Sequence, residues 1–341
     1  MTESTQTESV ASKAPGKSWR EEFLDCLNAM PQKGLFLVML SLWGLLFHFM
    51  GNSTLGYKAS RSLFVWMDYA YDQSADDSHG KIIPLVVLGF LWWKRKEILD
   101  VTKAPWWPGL ILVAIALAGH LLGYLIQQTR ISILAFFLGV YGIVGAAWGV
   151  GVLRAVFFPF ILFAFCFPLG TMAESLTFPL RLIATEITAF VAGSILGIPI
   201  IQEGAQIVDA KHTFSYEVAA ACSGLRSLTA TLALSTIYAF VYLRVPWKRV
   251  LMLSSAIPLA VLGNVFRLTC IIVAAEAFGQ EAGNFVHDNS LLSMLPYVPA
   301  IGGLFALGWL LDEERARKPA SPVPPEDPET PLEPAQDSAQ S

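Results

Sequence analysis

The stretch ISILAFFLGVYGIVGAAWGV, residues 131–150, runs for twenty residues without a charge. As a helix rising 1.5 Å per residue it is about 30 Å long, the thickness of a bilayer's hydrocarbon core. A surface helix of a soluble domain keeps a polar stripe for water, and this segment has none, which leaves a fully buried core helix or a membrane span. It reads as a membrane span. The rest of the chain agrees: 54% of its 341 residues are hydrophobic and 15% are charged. Soluble domains carry about 25% charged residues.

Working outward from that segment, apolar runs predict eight spans, near 35–55, 82–93, 106–126, 131–150, 153–169, 226–243, 250–273 and 294–311. The second is short, and Lys81 can lengthen it by snorkelling. The basic clusters WWKRKE (92–97), RVPWKR (244–249) and DEERARK (312–318) belong on the cytoplasmic side. That places both termini in the cytoplasm. Segment 178–200, FPLRLIATEITAFVAGSILGIPI, is apolar but carries Arg181 and Glu186. With both ends outside, it reads as an interfacial or re-entrant helix. A ninth span would turn the later basic clusters outward. The stretch IVDAKHTFSYEV (207–218) is rich in strand formers and suggests a small hairpin in the outer loop. The expected fold is therefore an all-α polytopic membrane protein of about eight transmembrane helices, plus the interfacial helix and the hairpin.

Residues 1–34 read as a polar cytosolic extension, 35–311 as the transmembrane domain, and 312–341 as a disordered tail rich in Pro and acidic residues. The net charge of −4 carries little information, since much of the acid lies in the C-terminal tail, and no basic face suggests nucleic acid. Cys26, Cys166, Cys222 and Cys270 are widely spaced, with no CxxC pair for zinc or dithiol chemistry. His79 with Asp76 and Asp77 is an unspecific metal set. No cofactor or metal is expected.

Three residues stand out. Cys222, in EVAAACSGLRSL (217–228), falls at the outer surface before the sixth span, and Ser223 and Gly224 leave its backbone open. A helix start nearby and Arg226 one turn on both favour thiolate over thiol. Free cysteines are more often buried and inert, which suits the other three. Arg267 sits in the otherwise apolar AVLGNVFRLTCIIVAA, with Asn264 on its face. It lies 18 residues after Arg249, about 27 Å along a helix, so near the outer boundary. Intramembrane arginines face a cavity, face a partner or snorkel to lipid phosphates. His287, followed by Asp288, stands in the outer loop before the last span and can move protons near neutral pH. His212 is a competing base, whereas His48 and His120 fit core hydrogen bonds. Thiol, guanidinium and imidazole arriving at one membrane face suit acyl transfer through a thioester. Two other readings stay open: an anion or small-solute transporter using Arg267, and a membrane hydrolase or acyltransferase using His287 with Ser223.

These residues resemble a known family. ACSGLR after GIPIIQEGAQI, then GNVFR in the next span, HD before the last, and SHG ahead of span two are similar to the exosortase/archaeosortase family over roughly residues 35–311. After His287 this chain departs from the family pattern, since HDNSLLSMLPY contains no glycine. The resemblance implies a membrane cysteine transpeptidase with Cys222, Arg267 and His287 as its catalytic residues. It implies exported proteins as substrates, cleaved at a C-terminal sorting signal made of a motif, a transmembrane helix and a basic cluster. It also implies a place in the cytoplasmic (inner) membrane and a lipid or glycan as acceptor.

Overall fold

The computed structural model describes residues 18–312, except 55–57, 75, 171, 211–213, 218–224, 290 and 295–296. Thirteen α-helices, short 3₁₀ and π turns and one small sheet make up the described chain. Four helices are long and apolar enough to cross a membrane: Lys33–Met50, Thr129–Trp148, Thr177–Ile195 and Pro246–Phe278. Shorter apolar helices accompany them. The protein is an all-α, multi-pass membrane protein.

Helix α1 (Trp19–Ala29) begins at Ser18, whose hydroxyl accepts from the Glu21 amide while the Glu21 carboxylate accepts from the Ser18 amide. Each group satisfies a donor that a helix start leaves orphaned. α1 lies within the segment expected to be a polar extension. It is tied to the body by a 2.8 Å ion pair between Glu22 and Arg95 and by Trp19 and Phe23 against Trp92. Helix α2 (Lys33–Met50) ends short of the expected 55, where Asn52 donates to the Ser60 carbonyl and folds the chain back. Helix α3 (Leu63–Gln73) was not anticipated. Its two aspartates break up an apolar run, yet Leu63, Trp66, Met67 and Tyr71 form one buried stripe at helical spacing.

Helices α4 (Ile83–Trp93), α5 (Arg95–Asp100), α6 (Gly109–Leu125), α7 (Thr129–Trp148) and α8 (Val150–Ile161) follow, and α8 tightens into a 3₁₀ turn over Leu162–Cys166. Within a bilayer, helix association relies on close packing, so small residues mark the contacts. A Cβ at Gly142 of α7 would stand 2.8 Å from the Gly109 carbonyl of α6, so the two backbones nearly touch. On the other side of α7, Trp43 of α2 donates to the Phe136 carbonyl at 3.0 Å.

Helix α9 (Met172–Phe190) continues through a π turn (Val191–Ile195) into strands β1 (Ile200–Glu203), β2 (Gln206–Asp209) and β3 (Ser215–Glu217). The strands form an antiparallel sheet in the order β1-β2-β3. The expected hairpin is the β2–β3 pair, with Val208 opposite Ser215, and β1 extends it to three strands. Helices α10 (Leu225–Tyr242), α11 (Pro246–Phe278), α12 (Gln280–Asp288) and α13 (Tyr297–Leu311) complete the chain.

Two ends can be told apart by contacts. Arg249 lies over Phe240, Phe240 stacks on Phe158, and Phe158 meets Phe90, one turn before Lys94. Lys248 donates to the Leu311 carbonyl at the foot of α13. The clusters around Lys94 and Lys248 therefore share one end with the foot of α13, the basic end; the cluster that follows Asp312 lies outside the described residues. At the opposite end Ile198, Ile207 and Phe214 pack with Ala192 on Ile271, Ile272 and Ala275 of α11, forming the core of a separate lobe. Helix α9 lines a cleft with Ala260 and Asn264, then reaches Ile271 and Ile272 through Ala192. It runs beside α11 from mid-height into the lobe.

Gly142→Leu should drive α6 and α7 apart and cost about 1–3 kcal/mol, the usual penalty for overpacking. A clear fall in the melting midpoint of the detergent-purified protein is the expected result.

Candidate functional site

The site is built on the length of α11. Its 33 residues span about 50 Å. Antiparallel α10, with 18 residues, covers about 27 Å of it. Leu228 of α10 and Asn264 of α11 line one small cleft with Thr177 and Ala184 of α9, which fixes the level at which α10 begins. Beyond it α11 continues into the lobe for about 20 Å. Gly279, at φ +88, then reverses the chain, and α12 returns along α11.

That return carries His287 back to the level of Arg267. A guanidinium Nη2 of Arg267 donates to the His287 carbonyl at 3.1 Å. Nε of Arg267 is buried without a hydrogen-bond partner among the described residues. His287 Nδ1 and Asp288 Oδ1 are 2.7 Å apart, with Asp288 largely exposed. Asn264, one turn before Arg267, is buried against α9 and α10. Arg226, the second residue of α10, has its Nε 3.5 Å from Asp76 Oδ1. The Tyr297 hydroxyl, at the start of α13, lies within electrostatic reach of Arg226, Asp76 and Arg267. Cys222, Ser223, Gly224 and His212 lie outside the described residues.

The segment DDSHG holds the neighbouring ends together. Asp77 is buried and accepts from two amides, Leu169 N at 3.1 Å and Gly170 N at 2.9 Å. His79 Nδ1 is 2.7 Å from the Asp76 carbonyl, and the Tyr71 hydroxyl donates to the Cys166 carbonyl. Among the described residues no three His, Cys, Asp or Glu side chains are placed to hold a metal ion. Both Asp77 oxygens are already engaged. Burial raises the Asp76 carboxyl above the usual carboxylate range. Arg226 opposes the shift and the nearby Asp77 adds to it. Buried His120 makes the core hydrogen bond expected of it, with Ser132, whereas His48, paired with Ser62, is exposed and not in the core.

Arg267, His287, Asp288 and Asn264 thus come together, and Arg226 stands at the same level through α10. Sequence reasoning missed the Asp76–Arg226 pair and Tyr297. It weighed Asp76 only as a metal ligand, although a carboxylate pair ahead of a span start was a visible signal. It also missed that Arg181 is 8% exposed, with an Nε that has no hydrogen-bond partner among the described residues and an Nη2 that donates to Thr177 at 3.5 Å.

Fold and site together define a polytopic membrane protein with a polar centre where its longest helix enters a lobe. The family model for transmembrane exosortases matches residues 66–302, and the chain belongs to that family. Membership supports a membrane transpeptidase or protease in general terms. No match to the chain is found among curated proteins or among solved structures.

A carboxyl raised in the fold binds its proton more tightly there than in the unfolded chain. Its contribution favours folding at low pH and is lost as pH rises through the raised value. Asp76→Asn removes that loss. The melting temperature of the variant relative to the parent should therefore climb from the ordinary aspartate range toward neutral pH. A flat difference would contradict the buried placement of this carboxyl.

Proposed function

We propose that the protein is a membrane-embedded cysteine transpeptidase that cleaves the C-terminal sorting signal of exported proteins through a thioester. The observation that carries the reading is the 3.1 Å contact from Arg267 to the His287 carbonyl. It joins two of the three residues at the level where α10 begins, three residues after Cys222. Family membership and the shared basic end support the rest. Eight spans cross the cytoplasmic (inner) membrane, the basic end and both termini lie in the cytoplasm, and the lobe faces outward. Helix α9 stands beside the outward half of α11 with both ends outside. Residues 35–311 are the catalytic domain, flanked by a cytosolic extension and a cytosolic tail.

The chemistry follows from proton and charge placement. Asp288 holds the Nδ1 proton of His287, leaving Nε2 to take the Cys222 proton. The thiolate attacks the scissile carbonyl carbon and forms a C–S bond. Arg267, whose Nε has no partner among the described residues, stabilises the oxyanion. The C–N bond breaks as His287 returns the proton to the leaving amine. A second nucleophile, from a lipid or glycan or from water, then gives its proton to His287 and displaces the sulfur. Arg226 favours the thiolate, with Asp76 fixing its direction, while Ser223 and Gly224 keep the approach open and Asn264 supports Arg267.

The test is processing of a tail-bearing exported protein in cells. Cys222→Ala should leave full-length substrate in the membrane. Arg267→Gln should slow turnover by about 10²–10³, as for loss of an oxyanion donor. Normal processing by Cys222→Ala would refute the mechanism.

A further inference from the structure

A second site lies away from the catalytic centre. Helices α2, α3, α4 and α7 and the 162–166 turn line an open-sided cavity of about 500 Å³, and the mechanism makes no use of it. Its walls are apolar, formed chiefly by Leu40, Phe136, Phe137, Val140 and Phe163, and its polar groups sit at one rim with Asp68 and Lys81.

Its depth is informative. The rim lies at the lobe end, where α4 begins. Leu40 lies ten residues before Met50, the lobe-side terminus of α2, so the cavity reaches about 15 Å down that helix. Val140 lies eleven residues into α7 from the same end, which gives a similar depth. One leaflet of a hydrocarbon core about 30 Å thick is about 15 Å. The volume lies within the roughly 300–1,000 Å³ of small-molecule sites.

The rim supplies the headgroup chemistry. Lys81 Nζ lies 2.8 Å from Asp68 and 2.7 Å from Asp72. The two carboxylates remain 67% and 62% exposed. Two acids and one ammonium present both signs with a net charge of −1. A zwitterionic headgroup finds a partner for each of its charges there, its ammonium on the aspartates and its phosphate on Lys81. An anionic headgroup meets an excess of like charge.

We propose that this cavity binds a zwitterionic phospholipid of the lobe-side leaflet, with one acyl chain in the slot and the headgroup on Asp68, Asp72 and Lys81. Gly80 and Cys166 line the same cavity. The chain would therefore brace the back of the segment that carries Asp76 and Asp77.

The experiment uses full-length protein in nanodiscs containing phosphatidylethanolamine with a diazirine on one acyl chain. After irradiation, peptide mass spectrometry locates the adducts. They should concentrate on residues 136–140 and 163–166, several-fold above Leu117 and Leu121, which are exposed on α6. The same acyl chain on phosphatidylglycerol should give a several-fold lower yield at the cavity. Val140→Trp, checked for an unchanged melt, should cut the cavity adducts at least fivefold and spare those at Leu117 and Leu121. Should that variant melt early, Asp68→Asn with Asp72→Asn serves instead and should abolish the headgroup preference. Adducts spread evenly over α6 and the cavity, or equal yields from both headgroups, would overturn the proposal. Because the readout is lipid position, it stands or falls apart from the activity of Cys222.

Discussion

A helix of 33 residues does not fit inside a hydrocarbon slab about 30 Å thick. Set upright in such a slab, α11 overshoots by roughly 20 Å, and its lobe-side part is still apolar, with Ile271, Ile272 and Ala275 on one face. Water would expose this face at a cost, so the chain covers it. The upper part of α9, the three-stranded sheet and α12 all pack there. The lobe exists because α11 overshoots, and the polar centre exists because the lobe has a base. Arg267 sits at that base, a depth where a guanidinium on a spanning helix can reach polar partners without crossing hydrocarbon.

The base is stitched by charge as well as by packing. Asp77 satisfies two backbone amides that the end of the 162–166 turn would otherwise leave bare. Its neighbour Asp76 reaches the other way, to Arg226 on α10. Two adjacent carboxylates thus tie the first half of the bundle to the helix that follows the Cys222 segment. Close carboxylates repel, and burial penalises both. The arrangement is tolerated because each has its own compensating donors.

Much of this was readable from residue order. Uncharged runs of span length mark α2, α7 and α11, and the basic clusters around Lys94 and Lys248 foretell the end they share. Helix α3 escaped because Asp68 and Asp72 interrupt its hydropathy, while the burial stripe of Leu63, Trp66, Met67 and Tyr71 follows a period that a hydropathy window averages away. Segment 178–200 showed its amphipathic character in Arg181. Its direction beside α11 depends on long-range packing that no local pattern encodes. For the polar centre, sequence named Arg267 and His287 from their unusual settings. It could not supply the backbone contact between them, which depends on how far α12 folds back. The partnership of Asp76 with Arg226 joins positions 150 residues apart and has no local signature.

The bend at Gly279 has a mechanical consequence. Arg267 and His287 ride on the two arms of one hairpin, and Gly279 is the non-helical residue between α11 and α12. Its left-handed φ sets the angle between the arms. Arg267 lies twelve residues from that pivot, about 18 Å down its arm. Over such a lever a rotation of 10° at the hinge moves the far end by about 3 Å, the length of the hydrogen bond it must hold. The register of the polar centre is thus governed from a point well outside it, at the tip of the lobe.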